Sequence, residues 1–505
     1  MFLLEKGFSK FLIPILTIAA TLYIIGIAKY GLGLTSDSIS YWASAESLYL
    51  NKNLYLPFRR EYLSDWPPFF SIILSTGYFL KSEYIFSYYG FLNAAIYILV
   101  VYNFSKLAFR LTESKLLCVL STIVLIISPP VYKTFSYLWS EPAFILITLL
   151  FIINLNQYVT HQARRFFYLS LILASLSALT RYVGVINLAL AGLIILFFTN
   201  GNQLAKFKKC IVFVALSSFP LILWLFRNYA INSTLTGSGR TTELTNVTYT
   251  VLQFANACWE WFLPPLTFRY GGVITFLVTA LVFTILIIKI LIAINLRVKQ
   301  WRLLLILLIY TISHLAIVLM SAMLQSSDAP NYRLTAPAFV TFLLLITYSV
   351  KFLPLSSRYT YKAGFFLVLC LIITYNLFAY LHYIKRSREA GVLGYSDLST
   401  RSSELIKAAK SFDASLYTFR EPILYSNFAE KLYVNDVYGV YRVTGGPKGR
   451  ISENFKKRTD YKIVIWFGDL PKLRELVETH LPEYDITKVS KYNDGVIVTL
   501  ALNER

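Results

Sequence analysis

The chain has 505 residues, of which 56% are hydrophobic and only 15% charged, against about 25% charged in soluble domains. With a mean hydropathy of +0.57, this excludes a soluble globular protein and indicates a polytopic helical membrane protein. The net charge of +21 does not point to nucleic acid, because the basic residues fall mostly in short clusters between hydrophobic runs, as the positive-inside rule requires.

The first run, Lys10 to Tyr30, exceeds the roughly 20 residues needed to cross a bilayer. It lacks an obvious small-residue cleavage site and reads as a retained signal-anchor. A large outer loop, 31–84, follows. Within it, Trp66–Leu80 (WPPFFSIILSTGYFL) is apolar but short, and is predicted to lie at the outer surface as a juxtamembrane helix. Further spans are expected near 85–108, 115–133, 139–160, 166–181, 183–200, 209–229, 271–292, 302–323, 333–353 and 362–383. That makes about eleven crossings, with a cytoplasmic N-terminus and an extracytoplasmic C-terminus. The scheme keeps the basic clusters Lys106/Arg110/Lys115, Arg164/Arg165, Lys206/Lys208/Lys209, Lys289/Arg297/Lys299/Arg302 and Lys351/Arg358/Lys362 on the cytoplasmic side. Arg59-Arg60 is a minor exception.

Residues 1–384 hold eleven acids. All but Glu5 and Glu113 fall on the outer side, as do the isolated arginines Arg181, Arg227, Arg240, Arg269 and Arg333. Ionisable groups at span ends are costly and mark function by default. The loop acids read equally well as solvated polar residues. Arg181, Arg227 and Glu141 do not, because they adjoin long apolar runs.

Near Lys385–Arg388 the composition changes. Residues 385–505 carry 20 Lys+Arg and 16 Asp+Glu and no Cys. Short β-rich runs at 423–425, 461–467 and 495–500, with helical patterns near 401–411 and 470–479, predict a small α/β soluble domain of about 120 residues. No catalytic motif is visible in it, and capping the membrane domain is its expected role ahead of binding an acceptor. The four cysteines are scattered and the four histidines isolated in sequence, so neither a disulfide framework nor a metal motif emerges.

Six elements converge on the outer face: Asp37-Ser38-Ile39-Ser40-Tyr41; Asp65-Trp66-Pro67-Pro68; Ser140-Glu141-Pro142; Thr180-Arg181-Tyr182; Arg227-Asn228 leading to Arg240; and Tyr332-Arg333-Leu334-Thr335-Ala336-Pro337. In this order, after a large outer first loop, they resemble the GT-C superfamily of integral-membrane glycosyltransferases, of the protein O-mannosyltransferase and aminoarabinose-transferase type. The resemblance covers residues 1–384 and the tail only loosely. Two departures stand out: Ser38 follows Asp37 where many relatives have Asp-Glu, and Trp66 precedes the two prolines where many have His or Lys.

The resemblance implies an all-α GT-C transmembrane domain, 1–384, and inverting transfer of a sugar from a polyprenyl-phosphate donor to an acceptor hydroxyl at the outer face. Asp37 is then the general base. Arg333, Arg240 and Arg181, in that order, are candidates for the donor phosphate. Arg227 braces a helix end or snorkels. Tyr41, Asp65, Glu141 and Tyr332 are candidate supporting or substrate-binding residues. The acceptor is a lipid, a polysaccharide or a protein. No cofactor is required, and a divalent cation is compatible but not called for. A bacterial plasma membrane is the expected site. A diphosphate-lipid-linked glycan ligase or polymerase is the main alternative; a transporter would show internal repeats and broken helices near the bilayer midplane.

Overall fold

The computed structural model describes residues 6–503 except 60, 82–83, 238–245, 267, 269, 325–328, 352–358, 411–423, 434–439, 446–449, 452, 457–458 and 460. Helix α1 (Lys6–Ile27) leads into α2 (Ser36–Asn51). A two-residue hairpin ladder, β1 (Tyr55–Leu56) with β2 (Glu61–Tyr62), and the short α3 (Phe69–Ser75) complete the first loop. The segment expected at the membrane surface is thus α3 plus a 3-10 turn at Thr76–Phe79, packed on α2.

The bundle continues with α4 (Ile85–Thr112), α5 (Lys115–Ile127), α6 (Pro129–Phe135), α7 (Glu141–His161), α8 (Arg164–Thr180), α9 (Val185–Phe198) and α10 (Gln203–Asn232). After α11 (Val247–Trp259) come α12 (Gly271–Asn295), α13 (Trp301–Leu324), α14 (Tyr332–Lys351) and α15 (Tyr359–Ala390). Tight reversals end several helices in the left-handed region, at Glu113 (φ 55°), Gln162 (φ 54°) and Ser233 (φ 53°), which lets the chain turn back within a few residues. Between α5 and α6, Pro129 cannot donate to the helical ladder, and the axis bends by 53°.

Each of the eleven expected crossings contains a helix, but the count of eleven is not confirmed. Seven helices among the described residues are long and apolar enough to cross a membrane, and the bent α5/α6 pair makes an eighth. The stretch Leu12–Ile27 of α1, together with α8 and α9, is not among them. Helices of 17 and 14 residues reach only about 26 and 21 Å at 1.5 Å per residue, against a hydrocarbon core near 30 Å. Helix α8 also carries Ser170, Ser177 and Thr180, whose hydroxyls bond back to carbonyls of their own helix.

Helices α7 and α14 are buried along most of their length, whereas α12 and α15 are largely exposed. The outward faces of α10 and α12 are apolar, with Phe219, Leu223, Phe226, Leu277, Leu281 and Ile288 all more than half exposed. Such a surface suits lipid and not water.

Helix α15 runs on to Ala390, so the basic run 385–388 forms its last turns, and the chain leaves the helix at Gly391 (φ 83°). The tail holds α16 (Leu398–Arg401), α17 (Glu404–Lys410), α18 (Ala429–Tyr433), α19 (Glu453–Lys456) and α20 (Leu470–His480). Its main sheet has β3 (Leu424–Ser426), β4 (Tyr441–Arg442), β7 (Tyr461–Trp466), β8 (Tyr484–Tyr492) and β9 (Gly495–Leu502), in the order β4-β3-β7-β9-β8. The first three strands are parallel, and β9 is antiparallel to both β7 and β8. Strands β5 (Thr444–Gly445) and β6 (Arg450–Ile451) form a separate ladder. Tyr425, Val464, Leu473, Val477 and Val498 pack in the tail core. The C-terminal residues thus hold a small sheet region with short helices, at the β-rich runs read from the sequence.

Candidate active site

The site begins with local geometry in the first loop. Thr35 caps α2 in extended conformation, and its N–H donates to Ser38 Oγ at 3.0 Å. Asp37 is therefore the second residue of α2, where the helix dipole favours a carboxylate. The preceding strand-like segment is joined to the segment before α7 by a parallel bridge between Gly33 and Tyr137. Gly33 N–H donates to the Ser136 carbonyl (2.9 Å) and Leu138 N–H to the Gly33 carbonyl (3.0 Å). A Cβ at Gly33 would lie 2.6 Å from the Tyr137 ring, so this close approach requires glycine. Trp139 Nε1–H donates to Thr35 Oγ1 at 2.8 Å. These links hold Asp37 beside Glu141, the first residue of α7.

Four charged residues meet there. Arg333 Nη2–H donates to Asp37 Oδ2 at 2.5 Å, and Arg333 Nε–H donates to Glu141 Oε1. Arg181 Nη1 lies 2.5 Å from the same Glu141 oxygen and donates to Ser140 Oγ at 3.2 Å. Glu141 is 1% exposed, and among the described residues its Oε2 has no hydrogen-bond partner. The Arg333 guanidinium also lies over the Trp139 ring, 4.2 Å from its centre. Burial pushes the Asp37 carboxyl up, but Arg333, with Arg181 and Arg59 further off, outweighs burial and holds it below the usual carboxylate range.

The backbone explains why these side chains meet. Asn331 Oδ1 accepts the N–H groups of Arg333 (3.0 Å) and Leu334 (3.2 Å), starting α14. Arg333 thus sits at a helix N-terminus, where a cation is unfavourable and two carboxylates offset the cost. Arg181 is extended between α8 and the 3-10 turn Tyr182–Gly184. A Cβ at Gly184 would come within 2.3 Å of the Ser177 backbone, so a side chain there would force this turn open.

A second network lies close by. Arg59 pairs with Asp65 (2.7 Å) and Glu61 (3.4 Å) and lies over Trp66, 5.4 Å from the ring centre. Burial disfavours the Arg59 cation, and Asp65, Glu430 and Glu61 more than restore it. Gly237 (φ 94°) presses on this network: a Cβ there would fall 1.6 Å from Asp65 Oδ1. Arg227 braces the same loop, donating to the Leu63 carbonyl at 2.7 Å and lying over Trp224. The tail meets α2 through Ser36 Oγ–H to Glu430 Oε1 (3.3 Å) and Tyr433 O–H to Glu46 Oε2 (2.5 Å).

Of the residues expected from the sequence, Asp37, Glu141, Arg181 and Arg333 form one cluster. Asp65 belongs to the neighbouring network. Tyr41 is fully buried; its hydroxyl shares a 3.0 Å hydrogen bond with Ser140 Oγ and its ring packs edge-on against Phe70. Its ring is thus covered by protein, and its hydroxyl reaches the cluster through Ser140. Tyr332 packs beside Tyr137 and Trp139. Arg240, like Arg60 and Arg269, lies outside the described residues. Arg59 and Trp139 were not singled out from the sequence. Trp139 directly precedes Ser140-Glu141, and Arg59 read only as a charge on the wrong side of the membrane. Among the described residues, no group of three or more His, Cys, Asp or Glu is placed to hold a metal ion.

No protein-family model and no curated protein sequence matches the chain. Solved structures do. ArnT from Cupriavidus metallidurans in the apo state aligns with a TM-score of 0.62 at 13% identity, covering 98% of each chain. The same protein bound to undecaprenyl phosphate aligns at 0.60, also at 13% identity, covering 97% of this chain and 98% of that one. The arabinofuranosyltransferase AftD from Mycobacteria aligns at 0.53 and 12% identity over 99% of this chain but 40% of its own. At such identity the likeness is one of fold, and it is end to end for ArnT: the chain shares the fold of ArnT over nearly its whole length.

Proposed function

We propose that the protein is an inverting membrane glycosyltransferase that moves a sugar from a polyprenyl-phosphate donor to an acceptor hydroxyl, with Asp37 as base. The observation that carries this reading is the cluster of Asp37, Arg333, Glu141 and Arg181 at one end of a GT-C bundle. ArnT, whose fold it shares, has been solved with undecaprenyl phosphate. A cavity of about 330 Å³ between α5, α11, α12, α14 and α15, lined by Leu120, Val124, Trp261, Phe283, Phe342 and Ile372 among others, suits a lipid tail.

In the proposed reaction the acceptor O–H gives its proton to Asp37 as its oxygen bonds the anomeric carbon. The carbon–phosphate oxygen bond breaks on the opposite face, and polyprenyl phosphate leaves. A base paired to an arginine is a weak base. A phosphate drawing Arg333 away from Asp37 would remove the charge that holds the carboxyl low, and burial would then raise its proton affinity. Donor binding and base activation are coupled in this reading. Glu141, bonded to both arginines, holds them while Asp37 changes partner. Arg333 and Arg181 take up charge on the departing phosphate. The tail, bonded to α2 at Ser36 and Glu46, caps the site. No metal is assigned a role, and a chelator is expected to leave turnover unchanged. The acceptor is a hydroxyl of a lipid, a polysaccharide or a protein, and the active site faces away from the cytoplasm.

The test is sugar release from a panel of polyprenyl-phosphate and polyprenyl-diphosphate sugars, with membrane extract as acceptor. Purified wild-type protein and Asp37→Asn are compared. Turnover of a monophosphate donor by the wild type alone supports the reading. Equal turnover by both removes Asp37 from the mechanism. Turnover of diphosphate donors alone transfers the protein to the ligase or polymerase class.

A further inference from the structure

We infer that Lys133 is a contact for the donor phosphate, an assignment that rests on the polyprenyl-phosphate reading above. The arginines of the cluster already face carboxylates: Arg333 faces Asp37 and Glu141, Arg181 faces Glu141, and Arg59 faces Asp65 and Glu61. Arg227 bonds the Leu63 carbonyl and the Asn228 side chain. Lys133, on α6, differs from all of these. Among the described residues no carboxylate forms a contact ion pair with its ammonium, which lies over the Tyr332 ring at 5.0 Å from its centre, and Glu260 acts on it by longer-range attraction. A half-buried ammonium with no carboxylate in contact is unfavourable, and the aromatic face and the attraction of Glu260 offset only part of that. An anion arriving there completes the charge.

The place fits the chemistry. Tyr332 packs with Tyr137 and Trp139, which stack at 4.1 Å between ring centres and 6° between planes. Lys133 lies against Tyr332 in this aromatic wall, and Arg333 lies against Trp139. Inversion requires the leaving phosphate and the base on opposite sides of the anomeric carbon. Lys133 does not pair with Asp37, so it can contact the phosphate without first releasing the base, whereas Arg333 must leave Asp37 to do so. Its helix is firmly held. The Phe135 carbonyl, at the end of α6, accepts from Tyr23 O–H (2.8 Å) and Asn93 Nδ2–H (2.6 Å). The ammonium is thus presented from a fixed backbone beside residues next to the base.

The experiment measures binding of undecaprenyl phosphate, undecaprenol and inorganic phosphate to the purified full chain in nanodiscs, by intrinsic tryptophan fluorescence. Lys133→Met and Lys133→Arg are compared with the wild type. The wild type is expected to prefer the lipid phosphate over the lipid alcohol. Lys133→Met should lose about tenfold to a hundredfold of that preference, the scale of one charge-assisted bond, while binding undecaprenol unchanged. Lys133→Arg should keep most of it. A wild-type preference that survives in Lys133→Met removes Lys133 and leaves the donor reading standing. Equal loss of undecaprenol binding in both variants marks a structural residue and also overturns the assignment. Inorganic phosphate displacing the lipid at equal concentration makes this a small-anion site. A wild type that does not distinguish phosphate from alcohol defeats the donor reading itself.

Discussion

Two ion-pair networks sit at the same end of the molecule and are built in opposite ways. Arg59, Glu61 and Asp65 lie within seven residues of one another, in one loop. Asp37, Glu141, Arg181 and Arg333 come from four separate parts of the chain. Glu61 is 37% exposed, and its ion pair spans 3.4 Å. Glu141 is 1% exposed, and both arginines meet one of its oxygens. The local network forms wherever the loop forms and is bathed by water on one side. The distant one exists only because α2, α7, α8 and α14 are packed, and low dielectric makes each of its members matter more. A local pair shapes a loop; a network gathered from afar can hold charges in a state useful for chemistry.

Breaking this contrast should give effects of very different size. The largest is on catalysis. Asp37→Asn should lower transfer by about 10²–10⁴-fold, the usual contribution of a positioned base, while the chain still folds, at reduced stability, because Glu141 still holds Arg333; initial rates and a melting curve check both parts. Next comes Glu141→Ala, which leaves two buried guanidinium groups short of a partner. Breaking a buried pair from one side costs about 3–5 kcal/mol, so a large drop in thermal midpoint and in turnover is expected. An unchanged midpoint would show that water already serves these arginines.

The pH dependence sharpens the same contrast. The folded-state pKa of Asp37 lies below its ordinary value. Its stabilising contribution is then complete above the unfolded value of about 3.9 and is lost as pH falls through the lower folded value. The stability difference between wild type and Asp37→Asn should shrink only below about pH 4, as followed by denaturant midpoints across pH.

Smaller effects belong to the local network. Gly237→Ala combines a positive φ with a clash against Asp65, and should cost about 1–3 kcal/mol together with a severalfold loss of turnover. Glu61→Ala removes an exposed, long ion pair and should change stability by no more than about 0.5 kcal/mol. A cost above about 2 kcal/mol for Glu61→Ala would erase the distinction between the two networks.

Much of the site was legible because charged residues beside apolar runs are rare and costly. That argument singled out Glu141, Arg181 and Arg227, and the ordered motifs with the resemblance they carry added Asp37 and Arg333. It could not say that Arg333 bonds both acids, because pairing across 296 residues has no sequence signal. Trp139 and Arg59 were passed over for a similar reason. An aromatic at a membrane interface, and a basic pair in an outer loop, each have a common and undemanding explanation. That Tyr41 packs inward against Phe70 was likewise decided by the packing of α2.

What the amino-acid order determined by itself was class and place. Hydropathy set a helical membrane protein with a small α/β tail, since both signals are periodic and local. Prolines marked breaks, as at Pro129, because a missing N–H acts wherever it occurs. The tertiary structure alone decided which charges meet, and that α15 continues through the basic run 385–388 to Ala390. Those outcomes depend on packing, burial and dielectric, which arise only when distant segments share the same space.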